Sequence, residues 1–219
     1  MLITIDFLRA KGACMDGLCY FKKNFGESAD YQAVLDKLAE DDRVSDARWL
    51  LDNAGADKEA TREISEAPTT KHIFAAGRLE IKIDISVAGC VFAGGGIKAG
   101  WGIEAGGGIK AGRGIEAGWG IEAGRGIEAG RGIEAGEGIK AGRGIEAGWG
   151  IEAGFAICCK AALSARFRIF AGLINWRLPT AEEQGIECGE LTGGIVAHGV
   201  LIERSRPDPG VPAPPVSTT

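Results

Sequence analysis

The chain has 219 residues, 36 of them glycine and six cysteine, and carries a formal net charge of −5. Glycine at more than twice its usual share of about 7% marks a repeat or a low-complexity segment, and an acidic balance disfavours nucleic acid and membrane surfaces, which select a basic excess. No stretch reaches the roughly 18 uninterrupted apolar residues of a membrane span, and Met1 to Asp6 lacks the basic start and apolar centre of a secretory signal, so a cytoplasmic chain is expected.

Residues 1–67 read as a small helical module. Apolar residues recur at helical spacing in Tyr31, Val34, Leu35 and Leu38, and again in Val44, Ala47, Leu50 and Leu51, with Gly26 and Gly55 as stops. Phe7 to Phe25, carrying Leu8, Leu18, Tyr20 and Phe21, supplies one or two further helices around Gly12 and Gly17. A core of about four short helices is small enough that it should dock on something larger.

Cys14, Gly17-Leu18, Phe21, Phe25, Val34-Leu35, Leu38 and Ala47-Arg48-Trp49-Leu50-Leu51 together resemble a short uncharacterised helical module of phage and other mobile-element proteins. The resemblance implies an origin and no chemistry.

From Gly96 to Phe155 the chain repeats Gly-Ile-Glu/Lys-Ala-Gly-X ten times. The phase extends beyond the block: counting in sixes from Ile73, through Leu79, Val91 and Ile121, to Ile169 meets an aliphatic residue at all seventeen positions. Two residues after each stands a second apolar one, such as Ala75, Val87, Ala123 or Cys159, with a charge between them in the regular block. Apolar, polar, apolar is a three-residue strand, and the glycines that follow let the chain turn a corner. Short strands and tight corners make a coil whose copies stack in parallel, so residues 73–174 are expected to form one β-solenoid with Ile and Ala inward. A flexible Gly-rich linker would give no reason for the aliphatic period, which persists where the glycines stop.

The hexads resemble the hexapeptide β-helix families and, more loosely, the bactofilin-like polymer-forming solenoids. They depart from the usual left-handed hexapeptide motif in that the small residue follows the aliphatic one. The fold expected is mainly β, a six-residue-repeat solenoid with a small N-terminal helical module.

Chemistry is sparse. Hexapeptide acyltransferases rely on a histidine at the cleft between subunits, whereas His72 and His198 both lie outside the regular block and read as surface or capping residues. No phosphate loop of the GxxxxGK[ST] type occurs. Cys14, Cys19, Cys90, Cys158, Cys159 and Cys188 lack CxxC spacing and read as buried free thiols. The expectation is a non-enzymatic chain without cofactor or metal site.

The sixth hexad position carries the information: Trp101, Gly107, Arg113, Trp119, Arg125, Arg131, Glu137, Arg143, Trp149 and Phe155. Arg and Glu cannot be buried unpaired beside Ile and Ala, so this position points outward at the corners and takes the tryptophans with it. Exposed Trp with Arg is the composition of interface hot spots, which nominates Trp101, Trp119, Trp149, Phe155, Arg113, Arg125, Arg131 and Arg143 for partner binding. A cation–π ladder that merely covers the corners is the alternative. With three hexads per coil, every third hexad stacks, which sets Trp101, Trp119, Glu137 and Phe155 on one edge and Arg113, Arg131, Trp149 and Phe167 on another.

After Ile169 the period decays. Two strands around Gly193-Gly194 within residues 175–204 read as a β-hairpin capping the solenoid, and the Pro-rich residues 205–219 as a disordered tail. The function expected is presentation of Trp/Arg ridges to a protein partner, with inhibition of a host defence system by a phage or other mobile element as the narrower form. Self-association into a structural scaffold is the alternative; nucleic acid is disfavoured by the eight acidic and seven basic residues of the block.

Overall fold

The structure, a computed structural model, describes residues 1–204. The tail expected over 205–219 lies outside the described residues. The chain is mainly β, a parallel solenoid of about eight coils with a four-helix module at its start.

The helices are α1 (Ile5–Ala10), α2 (Met15–Phe25), α3 (Tyr31–Glu40) and α4 (Val44–Ala54). Gly26 and Gly55 end α2 and α4 with φ of +77° and +72°, a backbone region that favours glycine, as their reading as stops requires. Gly17 sits inside α2, not at a break; its N–H donates to the Sγ of Cys14, the N-cap. Tyr31, Val34, Leu35 and Leu38 meet Ala47, Leu50 and Leu51 in one core. A short antiparallel pair, Leu2–Thr4 with Ser28–Asp30, ties the start of the chain to α3.

In the solenoid each hexad of the block contributes a three-residue strand, such as Ile109–Ala111 or Ile121–Ala123. Ile109 pairs with Ile127 and Ile121 with Ile139, so each coil holds three hexads and the rod has three faces. Ile and Ala fill the interior; Ile121 is 1% exposed and Ala123 2%. Parallel strands also lie outside residues 73–174. Thr61–Ile64 precedes them, and Gly185–Cys188, Glu190–His198 and Val200–Glu203 follow. The register there leaves the sixfold phase, because residues between Ala171 and Gln184 form a loop that displaces the next strands: Ile157 pairs with Ile186 in place of the residue three hexads further on.

The C-terminal hairpin is not formed. Glu190–His198 is one strand running through Gly193-Gly194, and it pairs in parallel with Ala162–Phe170, while Val200–Glu203 pairs in parallel with Gly185–Cys188. The two glycines serve a corner of the last coil. A Cβ on Gly193 would come within 2.9 Å of Ser164 Oγ and 3.2 Å of the Ala165 carbonyl oxygen, and Gly194 has φ of +94°, so crowding and bending select glycine there without a chain reversal.

The corner glycines of the regular block have no positive φ; among the described residues the glycines with one are Gly12, Gly26, Gly55, Gly172, Gly194 and Gly199. The block's requirement is clearance. A Cβ on Gly118 would lie 2.2 Å from the carbonyl oxygen of Gly100 in the preceding coil.

The helical module docks on the first coils through the middle strand position, which is charged throughout the regular block. Phe74 and Phe92, one coil apart, stack with ring centroids 5.4 Å apart and join Ala76 and Cys90 in the helical core. Further along the same face, Arg48 donates twice to Glu128 (2.7 and 2.8 Å), and Lys110 meets both Asp52 (2.9 Å) and Glu128 (3.3 Å). Burial alone would raise the Glu128 carboxyl, but Arg48 and Lys110 together hold it below its ordinary value.

Candidate functional site

The sixth hexad position forms three ridges, one per corner. Along the first, the backbone N–H of Trp119 donates to Trp101 O, that of Glu137 to Trp119 O and that of Phe155 to Glu137 O. Along the second, Arg131 follows Arg113, Trp149 follows Arg131 and Phe167 follows Trp149. The third carries Arg125 and Arg143. The eight nominated residues are thus distributed over three edges, and no single edge gathers them all.

Geometry within the ridges differs. Trp101 and Trp119 meet edge to face, centroids 4.7 Å apart, and still leave 44% and 46% of their surfaces in water. Arg131 lies over the Trp149 ring at 5.1 Å, and Trp149 is 50% exposed. Exposed aromatic surface and local cation–π packing therefore coexist on the second ridge. Phe155 is more than half buried, because the loop after Ala171 returns along the first corner, bringing Trp176 edge to face with it (6.3 Å) and Arg177 over its ring (5.9 Å). Trp176, 66% exposed, thereby replaces Phe155 as the outer aromatic of that ridge. Trp176 stands outside the hexad period, and its one signal in the sequence is an aromatic beside Arg177, the same pairing that marks the ridges.

Between ridges run the middle positions of the strands. Lysines there pair across coils: Lys98 with Glu116 (2.7 Å), Lys110 with Glu128 (3.3 Å) and Lys140 with Glu122 (2.7 Å). Lys98 stands between Glu80 and Glu116 in the stack, while Lys110 and Lys140 each end a run of stacked carboxylates, Glu128-Glu146 and Glu104-Glu122, that would otherwise repel. Ridge and charged row bound open grooves with glycine and isoleucine floors. One of about 490 Å³ is lined by Arg113, Arg131 and Trp149 on one side and Lys98, Glu116, Glu134 and Glu152 on the other.

Of the two readings of His72, surface or capping, the surface one fails. His72 is 3% exposed, under the helical module, with Nδ1 accepting from the Cys90 N–H (2.9 Å) and Nε2 2.5 Å from Asp42 Oδ1. That network assigns its proton to Nε2, donated to Asp42, and makes it a seam between module and solenoid. Cys90, Cys159 and Cys188 are buried as read, but Cys14 and Cys19 are exposed, because they lie on the solvent side of α2 and its cap. Burial pushes the Cys159 thiol up to about 11. Among the described residues no three His, Cys, Asp or Glu side chains converge to hold a metal ion, and no helix is long and apolar enough to cross a membrane.

No curated protein and no solved structure matches the chain. Residues 1–56 match the family model of the YdhT N-terminal domain. That match ends just after α4, so it covers the helices and stops short of the coils. The chain is a parallel β-solenoid that carries on its first coils a helical module similar to the YdhT N-terminal domain.

Proposed function

We propose that the chain is a non-enzymatic binding protein that recognises a protein partner through its Trp/Arg ridges. The observation that carries this reading is the Trp101–Trp119 pair, which remains nearly half-exposed although each ring already packs on the other. Two adjacent, rigid, partly hydrated indoles, of which Trp119 lines a groove with Glu104, Glu122 and Lys140, are the kind of anchor that a partner desolvates with large gain. The narrower form, a phage or mobile-element product that blocks a host defence component, is supported by the sequence resemblance of the helical module alone. The alternative of an open scaffold built by end-to-end stacking is less well supported, because the helices occupy the first coils.

The test is affinity capture from host cells with the wild-type chain and with Trp101→Ala/Trp119→Ala as baits, followed by titration of each captured protein in purified form. Affinity should fall by about 2 kcal/mol or more, roughly thirtyfold, while stability falls only by the aromatic pair's own contribution of about 1 kcal/mol. A double variant that melts much earlier yet binds normally while folded would move the interface off this ridge.

A further inference from the structure

The two ends of the solenoid differ. At the start, Gln32 of α3 donates Nε2 to the Phe74 carbonyl (2.9 Å) and accepts from the Ala76 N–H (3.0 Å), so a side chain takes the place of a preceding strand on Ile73–Ala75. The inward residues Ile73, Leu79 and Ile85 are at most 2% exposed. At the other end, Glu190–His198 pairs only with Ala162–Phe170, and Val200–Glu203 only with Gly185–Cys188. Among the described residues, each keeps one edge without a strand. Ile195 is 70% exposed, Val200 53%, Leu201 38% and Ile202 45%. Leu201 follows Ile186 in the inward row, so an interior aliphatic is left in water. Open, apolar edges of this kind are templates for further pairing.

We propose that this end is a dimerisation surface, which receives the same end of a second copy of the chain about a two-fold axis, with the edge strands pairing antiparallel. The chain's own tail is a poor occupant: Pro207, Pro209, Pro212, Pro214 and Pro215 cannot donate to a ladder. A copy arriving by its other end would meet Ile73–Ala75, taken by Gln32, together with Thr61–Ile64, which carries Arg62 and Glu63, and the short Ile85–Val87; none of these strands exposes a large apolar side chain. Two identical edges related by a two-fold run antiparallel, so the donors of each can face the acceptors of the other. Charge permits the approach. Glu203 Oε1 accepts from the Leu191 N–H (2.8 Å) and Arg204 pairs with Glu187 (2.5 Å), which gathers the ionised groups at one corner. The stretch from Ile195 to Ile202 holds no carboxylate, lysine or arginine. This pairing is independent of what the ridges recognise.

Light scattering on the full chain, in reducing buffer so that exposed Cys14 and Cys19 cannot cross-link, should give twice 22.8 kDa across a concentration series. Ile195→Lys with Ile202→Lys, both at exposed positions, should return the single-chain mass with unchanged circular dichroism, and Val200→Glu is an independent second variant. Removing residues 205–219 should leave the dimer intact. A wild-type monomer overturns the proposal, and one that dimerises only after the tail is removed assigns the surface to the tail. A dimer unmoved by both variants places the contact elsewhere, and a mass that climbs beyond two copies replaces the closed pair with a filament.

Discussion

Gly118 and Gly120 flank Trp119 at one corner and are indistinguishable by composition, yet the structure predicts opposite responses to alanine. A Cβ on Gly118 would sit 2.2 Å from the Gly100 carbonyl oxygen and 3.1 Å from its carbon. That oxygen belongs to backbone held by the ladder of the coil, so no rotamer relieves the contact. On Gly120 the nearest atom is the Gly138 oxygen at 3.3 Å, a contact that a shift of a few tenths of an ångström relaxes. The chain already tolerates alanine at Ala156, one coil beyond Gly138. Overpacking against fixed backbone costs about 3 kcal/mol or more, whereas Gly120→Ala should stay within about 0.5 kcal/mol of wild type. For a domain of this size the larger figure is a melting-point drop on the order of 10 °C. Circular dichroism melts of the two single variants measure the difference directly, with midpoints compared because repeat arrays can lose two-state behaviour. Equal losses would refute the clearance reasoning and return the corner glycines to a purely conformational role.

Two further outcomes are expected. Ile121→Asp places a charge without a partner in a thin aliphatic interior and should lower stability by more than about 3 kcal/mol, seen as loss of the β signal or a much earlier melt. Thiol titration with a chromogenic disulfide at about pH 8 should find Cys14 and Cys19 reactive in the native protein. Cys159, raised to about 11, and Cys188, raised by burial, hold little thiolate at that pH and should react only after unfolding, while Cys158, partly exposed and also raised by burial, should react more slowly than Cys14 and Cys19.

The solenoid was legible because a three-residue strand has only one way to bury two apolar residues, and Ile at every sixth position repeats that demand along the chain. The coil length was a supposition of three hexads, from which the stacking of Trp101 on Trp119 followed; the pairing of Ile109 with Ile127 and Ile121 with Ile139 supplies it. The last coils were not legible. Once the loop after Ala171 breaks the phase, Ile186 and Leu201 are still inward, but their spacing no longer announces which strand they follow. Gly193-Gly194 between apolar runs is ambiguous in isolation, since crowding at a corner and reversal in a hairpin select the same residue. At the ridges, exposure of Trp and Arg followed from charge alone, whereas the covering of Phe155 by Trp176 depended on a loop that no local pattern describes. The docking of the helices does have a signal in the sequence: Phe74 and Phe92 occupy, one coil apart, the position that holds Lys or Glu throughout the regular block.

A register of three hexads per coil also limits how such a chain can change length. Deleting three hexads from the regular block would shorten the rod by one coil and leave every downstream side chain facing the direction it faced before. Deleting one hexad would turn everything downstream by a third of a revolution relative to the helical module, moving Trp119 to a different corner from Trp101. Copying errors in the encoding tract that add or lose single hexads would therefore scramble the ridges while preserving the core, and only changes in triplets of hexads keep the surface in phase. The tract behaves as a vernier, on which length is adjustable in coarse steps and orientation in fine ones.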